Sequence, residues 1–373
     1  MATENNNKIL NVPNLRFPEY SGEWEKCTLG DITENFSRRN KEEIHYPMFS
    51  VTNNKGFIPQ SEQFEDREMV GEDIKAYKII HKDDFAYNPA RINVGSIAKY
   101  SGENPCMISS LYVCFKTNPK IDNDWMMQLL KTPKMNFYYN INGEGGVRVY
   151  LFYPNFARIR TSYPTLQEQQ KISSFLTLLD ERIVTQIKVI EKLESLIKGL
   201  CQKLTQQDNP NTALNDTLVC YSSTLQESSV QEAGGYPVYG ATGVCGYTDT
   251  PEVDGDSILI IKDGASVGVT YYASGKYSAI GTLNRLVAKR GYSLRYLYYC
   301  LKVFNFAPYR TGLAIPHIYF RDYGKAQIWC PPIEEQNRIA SALEKVEQKI
   351  ATEKSLLEQL YSQKRFLLQA MFI

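Results

Sequence analysis

The 373-residue chain lacks a Cys-x-x-Cys pair among its eight cysteines (Cys27, Cys106, Cys114, Cys201, Cys220, Cys245, Cys300 and Cys330) and has only three histidines, His45, His81 and His317. No structural zinc site is expected from that pattern, and scattered thiols fit a reducing compartment. No run approaches the roughly 18 uninterrupted apolar residues of a membrane helix. The start, Met1 to Asn7, is polar and Asn-rich instead of basic and then apolar. A cytoplasmic location is therefore expected, with no membrane contact.

Catalytic constellations are missing as well. Gly264-Ala-Ser-Val-Gly268 lacks the Gly-Lys-Ser/Thr ending of a phosphate loop. Asn88-Pro89-Ala90 begins like an amino-methyltransferase motif but has neither the second proline nor the aromatic residue that stacks a flipped base. No Gly-x-Ser-x-Gly elbow and no His-Glu-x-x-His helix occurs. The acids Asp254 and Asp256 are not followed by the acid-x-Lys of a metal-dependent nuclease, because Ile260 and Ile261 precede Lys262. The reading is a non-catalytic chain with no cofactor or metal of its own.

The net charge of +1 argues against a stand-alone nucleic-acid binder, for which a basic balance is the first expectation. Its distribution says more. Between Thr205 and Asp256 there is no Lys or Arg, while Asp208, Asp216, Glu227, Glu232, Asp249, Glu252, Asp254 and Asp256 all fall there. From Ser257 to Cys330 ten cations face only Asp263 and Asp322. That half can present a basic surface to phosphates. The alternative is that the two halves pair with each other in space.

What is abundant is repetition. Pro164-Thr-Leu-Gln-Glu-Gln-Gln-Lys-Ile172 returns as Pro331-Pro-Ile-Glu-Glu-Gln-Asn-Arg-Ile339, an offset of 167 residues. The same offset carries Gly145 onto Gly312, Asn155 onto Asp322 and Arg158 onto Lys325. Further upstream, Asp83-Asp84-Phe-Ala-Tyr87 with Gly95-Ser-Ile97 loosely matches Gly255-Asp256-Ser-Ile-Leu259 with Gly264-Ala-Ser-Val267. The apolar runs Ile108 to Phe115 and Ile280 to Val287 follow in turn. The unit that repeats is a mixed domain followed by a long helix.

Heptad spacing places Leu176, Leu179, Ile183, Ile190, Leu193, Ile197, Leu200 and Leu204 on one helical seam, broken at Gln186. The second seam holds Ile339, Leu343, Val346, Ile350, Leu357, Leu360, Leu367 and Met371, broken at Glu353 and Lys364. Gln186 and Glu353 are equivalent positions, so one polar layer near the middle of both helices helps fix register. That layer alone does not decide between parallel and antiparallel packing. Duplication favours antiparallel, since a two-fold axis sends like helices in opposite directions. A helix of about 38 residues is roughly 57 Å long, a spacer in its own right.

The remainder reads as short strands with tight turns, for example Ser257 to Ile261 and Val267 to Tyr272, with helices at Asp124 to Leu130 and Leu294 to Phe304. The expected class is α+β: two mixed domains joined by two long helices in an antiparallel coiled coil, duplicated about a pseudo-two-fold axis. The expected boundaries are a disordered tail at 1–12, a first domain at 13–163, a helical spacer at 164–205, a second domain at 206–330 and a second spacer at 331–373.

The segments Pro164 to Leu204 and Pro331 to Phe372 resemble the two conserved helical regions of type I restriction-modification specificity subunits. Trp24-Glu-Lys-Cys-Thr-Leu-Gly-Asp31, Lys82 to Asn88, Tyr236-Pro-Val-Tyr-Gly-Ala-Thr-Gly243 and Gly312 to His317 resemble pieces of that family's target-recognition domains. The resemblance covers nearly the whole chain apart from the first dozen residues. It implies that each domain reads one half of a split, asymmetric site in double-stranded DNA and that the helices set the gap. It also implies two methyltransferase subunits docking at the helix ends, with restriction and translocation subunits outside them. S-adenosylmethionine, ATP and Mg are then held by those partners. A reading of another class, a homo-oligomeric coiled-coil binding or adhesion protein, does not account for the repeated order of domain and helix.

Base edges are read by long donors and short amides on exposed loops. The candidates in the first domain are Arg38, Arg39, Asn40, Arg91, Asn93, Lys99 and Arg148. Arg148 follows Gly143-Glu-Gly-Gly146, whose glycines would let backbone approach a phosphate. Those in the second are Tyr239, Thr242, Lys262, Ser266, Asn284, Arg285, Arg310 and His317. For each cation the plain alternative is a solvated surface charge, and for His317 a satisfied loop histidine. Glu168, Gln169, Glu335 and Gln336 are the candidates for partner docking, although an acid in a first helical turn also suits the helix dipole.

Overall fold

The protein, in a computed structural model, is described for residues 10–63, 74–145, 150–312 and 314–373. It divides into two compact units, 1–185 with 357–373, and 186–356. The long helices Leu166–Thr205 and Ile333–Ala370 each contribute to both.

In the first unit a four-stranded antiparallel sheet runs in the order Thr33–Phe36, Val113–Thr117, Phe85–Tyr87, Ile97–Lys99. A hairpin (Phe49–Thr52 with Gly56–Pro59) and two further strand pairs (Lys78–Ile80 with Cys106–Ile108, Glu25–Thr28 with Arg160–Tyr163) complete the strands. The short helix Leu29–Ile32 starts on a reciprocal cap between Thr28 and Asp31. Helix Asn123–Leu130 starts on the Asp122 carboxylate, which accepts from the Trp125 N–H at 2.8 Å. Phe85 and Phe115 stack at 4.9 Å, with Phe156 against Phe115 at 5.3 Å. Phe372, near the end of the chain, packs on Trp125 and Trp24 at 5.8 and 6.5 Å. Of the expected tail, residues 1–9 lie outside the described residues, while the Asn11 amide donates to the Trp24 carbonyl at 2.7 Å.

The second unit repeats the plan. Its sheet runs Leu218–Ser222, Leu283–Ala288, Ser257–Ile261, Thr270–Ala273, the same spatial order of equivalent strands. Helix Leu294–Lys302 stands where Asn123–Leu130 stands in the first unit, and Phe320–Tyr323 is 167 residues from Tyr153 to Phe156. A second sheet orders Gly243–Thr248, Tyr236–Gly240, Lys276–Ala279 and Val253–Asp254. The core joins Ile258, Ile260, Leu286, Tyr296 and Tyr323 to Ile197, Cys201, Ile339 and Leu343 of the long helices.

Two strand expectations need correction. Ile108 to Phe115 is not one strand: Cys106–Ile108 and Val113–Thr117 lie in different sheets, divided by a turn closed from the Tyr112 N–H to the Ser109 carbonyl. The strand expected from Val267 starts at Thr270, because Gly264 and Gly268 hold φ of +96° and +93° and keep the preceding residues in a turn.

The long helices pack antiparallel. Asp180 pairs with Lys364 and Gln186 with Glu353, while Ile197 and Cys201 share a core with Ile339 and Leu343, so the partner position falls as the first helix advances. Leu176, Leu179, Ile183, Ile190, Ile197, Leu343, Ile350 and Leu360 are buried, while Leu193, Val346 and Leu357 are partly covered. Lys364, one of the two breaks in the second seam, is matched by Asp180. In the polar layer the Gln186 amide donates to the Glu353 carbonyl at 3.0 Å and to its carboxylate, which also meets Lys349.

Those bonds from Lys349 and then Gln186 hold the Glu353 carboxyl below its ordinary 4.5. A folded value below the unfolded one stabilises above the unfolded value, and the contribution is lost as pH falls through the lowered value. Wild-type chain is therefore expected to lose thermal stability more steeply below pH 4.5 than Glu353→Gln. Superimposable melting-temperature curves against pH would show that the charge of this layer contributes nothing.

Candidate nucleic-acid interface

At one edge of the second unit's sheet, two loops are sewn together. The loop after Ser257–Ile261 and the segment from Arg310 to Ile318 exchange hydrogen bonds: Gly264 N–H to the Pro316 carbonyl and Ile318 N–H to the Lys262 carbonyl, both 2.9 Å. The Arg310 guanidinium donates to the Val267 carbonyl at 3.2 Å, and His317 Nδ1 lies 2.6 Å from Asp263 Oδ1. Gly268 is required here, since a Cβ would come within 2.8 Å of the Phe306 ring. Lys262, Ser266, Arg310 and His317 are thus brought together on one loop pair. Lys262 makes no ion pair among the described residues.

The first unit builds the same joint. Leu151 N–H donates to the Pro89 carbonyl at 3.0 Å, and Leu151 is 167 residues before Ile318. Arg91 is exposed on this loop, while the Asn93 amide donates to Asn140 at 2.9 Å. Arg148 and Gly146 lie outside the described residues.

Beside this joint sits the hairpin turn Asn53-Asn54-Lys55, which sequence reading passed over. The Ser96 hydroxyl donates to the Val51 carbonyl at 2.7 Å, bringing the hairpin against the loop. A cleft of about 690 Å³ results, lined by Asn53, Asn54, Lys55, Gln60, Asn88 and Arg91 among others. The signal was present: Tyr46-Pro47 leads into this hairpin as Tyr236-Pro237 leads into the one carrying Tyr239 and Thr242. There Thr242 is exposed, the Tyr271 hydroxyl donates to the Ala241 carbonyl at 3.0 Å, and Tyr239 stands edge-on to Tyr277 at 5.6 Å.

Other candidates are placed for structural work. Asn40 is fully buried and closes its own loop, donating to the Ile44 carbonyl at 2.8 Å and accepting from its N–H at 3.1 Å. Lys99 is neutralised by Asp124 at 2.6 Å and Asp83 at 3.6 Å. Arg38 donates to the largely buried Asp84 at 2.9 Å. Asn284 is buried on a central strand, its Oδ1 accepting from the Ser222 hydroxyl at 3.0 Å. Arg285 lies over the Tyr221 ring at 4.3 Å, and Arg39 is exposed.

The repeated Glu-Gln pair needs the largest correction. Glu168 is 1% exposed and takes both oxygens to Arg16, at 2.7 and 2.8 Å. Gln169 and Gln336 are 0% and 2% exposed, with amides spent inside their own units. These three are not available to a partner. Glu335 is partly exposed and pairs with Arg338 at 2.7 Å.

The family model described as the type I restriction modification DNA specificity domain matches residues 21–195 and 221–362. The chain belongs to the type I restriction-modification DNA specificity family. It is 26% identical over 209 residues to the putative type I restriction enzyme MjaX specificity subunit of Methanocaldococcus jannaschii, covering 53% of this chain and 49% of that protein. It is 27% identical over 121 residues to the putative specificity subunit S.HindORF215P of Haemophilus influenzae, covering 32% and 31%. The matches thus span about half the length of these curated relatives, or less. In fold, the specificity-family chain is similar to the S subunit of a type I restriction-modification system from M. genitalium, with a TM-score of 0.63 at 16% identity over 97% of this chain and 99% of that one. It is also similar to a chain solved in work on complex assembly and conformational transition of the type I system, at 0.60 and 16% over 93% and 96%.

The Arg38 placement is testable by denaturation. Arg38→Ala leaves the Asp84 carboxylate short of a partner and is expected to cost about 1–3 kcal/mol of stability, whereas Arg39→Ala is expected to stay within about 0.5 kcal/mol. Equal midpoints for the two variants would refute the structural assignment of Arg38.

Proposed function

We propose that this chain is the DNA-reading subunit of a type I restriction-modification complex, each unit reading one half of a bipartite target in double-stranded DNA. The observation that carries the reading is the repeated loop joint at the same edge of equivalent sheets, furnished with different side chains. One joint offers Arg91 with Asn53, Asn54 and Lys55, the other Lys262, Ser266, Arg310 and His317. Arg and Lys suit guanine and amides suit adenine, so unlike furnishings imply unlike half-sites and an asymmetric target.

The long helices act as the spacer. Chemistry belongs to partners under this reading: two methyltransferase subunits using S-adenosylmethionine, and restriction subunits using ATP and Mg. A net charge of +1 fits that division, because partners that close around the duplex can supply the phosphate contacts. The complex would work in the cytoplasm.

Co-expression with a methyltransferase subunit, followed by single-molecule mapping of methylated adenines in the host genome, tests this. A bipartite motif of fixed gap is expected. Arg91→Ala should relax one half only and the pair Lys262→Ala, Arg310→Ala the other, each by about 1–3 kcal/mol of base discrimination. No new motif, with no co-purifying methyltransferase, would reject the proposal.

A further inference from the structure

The repeated glutamine has no part in base reading, yet it makes corresponding contacts in both units. Gln169 accepts from the Asp122 N–H at 2.8 Å and donates to the Lys120 and Pro164 carbonyls at 3.0 and 2.9 Å. Gln336 accepts from the Ser293 N–H at 2.9 Å and donates to the Pro331 carbonyl at 2.7 Å. Asp122 and Ser293 are the N-caps of the equivalent helices Asn123–Leu130 and Leu294–Lys302. A helix start carries N–H groups without intrahelical partners, and in each unit the glutamine takes one of them.

Eleven residues further along each long helix, an acid takes the other end of the same domain helix. Asp180 accepts from the Gln128 amide at 3.2 Å, and Glu347 accepts from the Tyr299 hydroxyl at 2.9 Å. Asp180 and Glu347 are offset by 167 residues, as the glutamines are, while Gln128 and Tyr299 share the 171-residue offset of Asp122 and Ser293. The chemistry of the second contact has changed and its position has not. Each domain helix is pinned at both ends to the long helix that follows it in the chain, at points roughly 16 Å apart.

We propose that these paired pins fix the gap between the half-sites, with Gln169 and Gln336 as positioning residues that hold each reading loop at a set angle to the spacer. The inference rests on the DNA-reading function proposed above. One extra base pair moves a half-site by about 3.4 Å and turns it by about 35°. A domain held at one point can swing to follow that change; a domain held at two cannot. Further ties flank the pins in both units, Arg16 to Glu168 at 2.7 Å in the first, and Arg295 to Glu344 at 2.8 Å with Lys302 to Glu347 in the second, so loss of either glutamine is expected to loosen the gap to a similar degree.

The full chain is co-expressed with its methyltransferase partner as wild type, Gln169→Met and Gln336→Met, and methylated adenines are mapped. Methionine keeps length and burial and removes the hydrogen bonds. Both half-site sequences are expected to stay unchanged in Gln169→Met, while methylation at sites with a gap one base pair longer or shorter rises at least about tenfold, equivalent to ~1.4 kcal/mol of lost discrimination. Gln336→Met should give a similar rise. Gln169→Glu, which keeps the acceptor for Asp122, should fall between and carries the same test where Gln169→Met does not fold. Amide exchange at Asp122 should quicken while that of Phe85 to Tyr87 does not. A folded variant that keeps one gap and merely methylates less would overturn the inference, as would altered half-site bases. A wild-type chain that yields no bipartite motif would instead reject the DNA-reading proposal beneath it.

Discussion

A helix of 40 residues does not hold its shape in water on propensity alone, because most helical stability in proteins comes from packing an apolar face. Each long helix here has one face to bury, and the antiparallel partner covers it. The same faces then become walls of the domains: Ile197, Cys201, Ile339 and Leu343 join the cluster of Tyr296 and Tyr323, and Phe372 closes over Trp24 and Trp125. The domain cores are therefore incomplete without the helix pair. The polar layer is tolerable on magnitude, since Ile183 and Ile190 flank Gln186 and each buried aliphatic side chain contributes about 1.5–3 kcal/mol. A single hydrogen-bonded polar layer between them gives up little of that and penalises slipped registers.

Duplication supplies geometry and divergence supplies chemistry. Strand order, the loop joint and the pinned helix recur at constant offsets, yet Asp180 with Gln128 has become Glu347 with Tyr299, Tyr298 and Lys302. What recurs with unchanged chemistry is the buried glutamine. Exposed ion pairs such as Lys354 with Glu194 are each worth about 0–1 kcal/mol, and leaving a buried donor unsatisfied costs about 1–3 kcal/mol. The contact that stayed constant is the one whose loss would strand a helix N-terminus.

The helix seam was legible in the sequence because heptad spacing is a local pattern that needs no knowledge of the fold, and the 167-residue offset disclosed the duplication. The site was legible only in part. Polarity does not reveal burial: Asn40 and Lys99 have the residue types of base readers, but one closes a loop and the other is neutralised by Asp124. Gln169 looks the same in sequence whether its amide faces a partner or its own domain. Asn53 to Lys55 read as an ordinary turn until the Ser96 to Val51 hydrogen bond set it beside Arg91.

The segregated charges of the second unit bear on how a nearly neutral chain could approach DNA. Among the described residues, none of the eight acids between Thr205 and Asp256 forms an ion pair with the cations that follow, although Asp254 stands opposite Lys276 in register. Beyond a Debye length of about 8 Å at physiological salt, exposed charges hardly sense one another, so local balance matters more than the total. On the loop joint the carboxylate at hand is Asp263, and its Oδ1 is engaged by His317 at 2.6 Å. Neither Lys262 nor Arg310 is paired with it. The joint therefore keeps two cations available for a phosphate or a base edge on a chain whose charges otherwise nearly cancel.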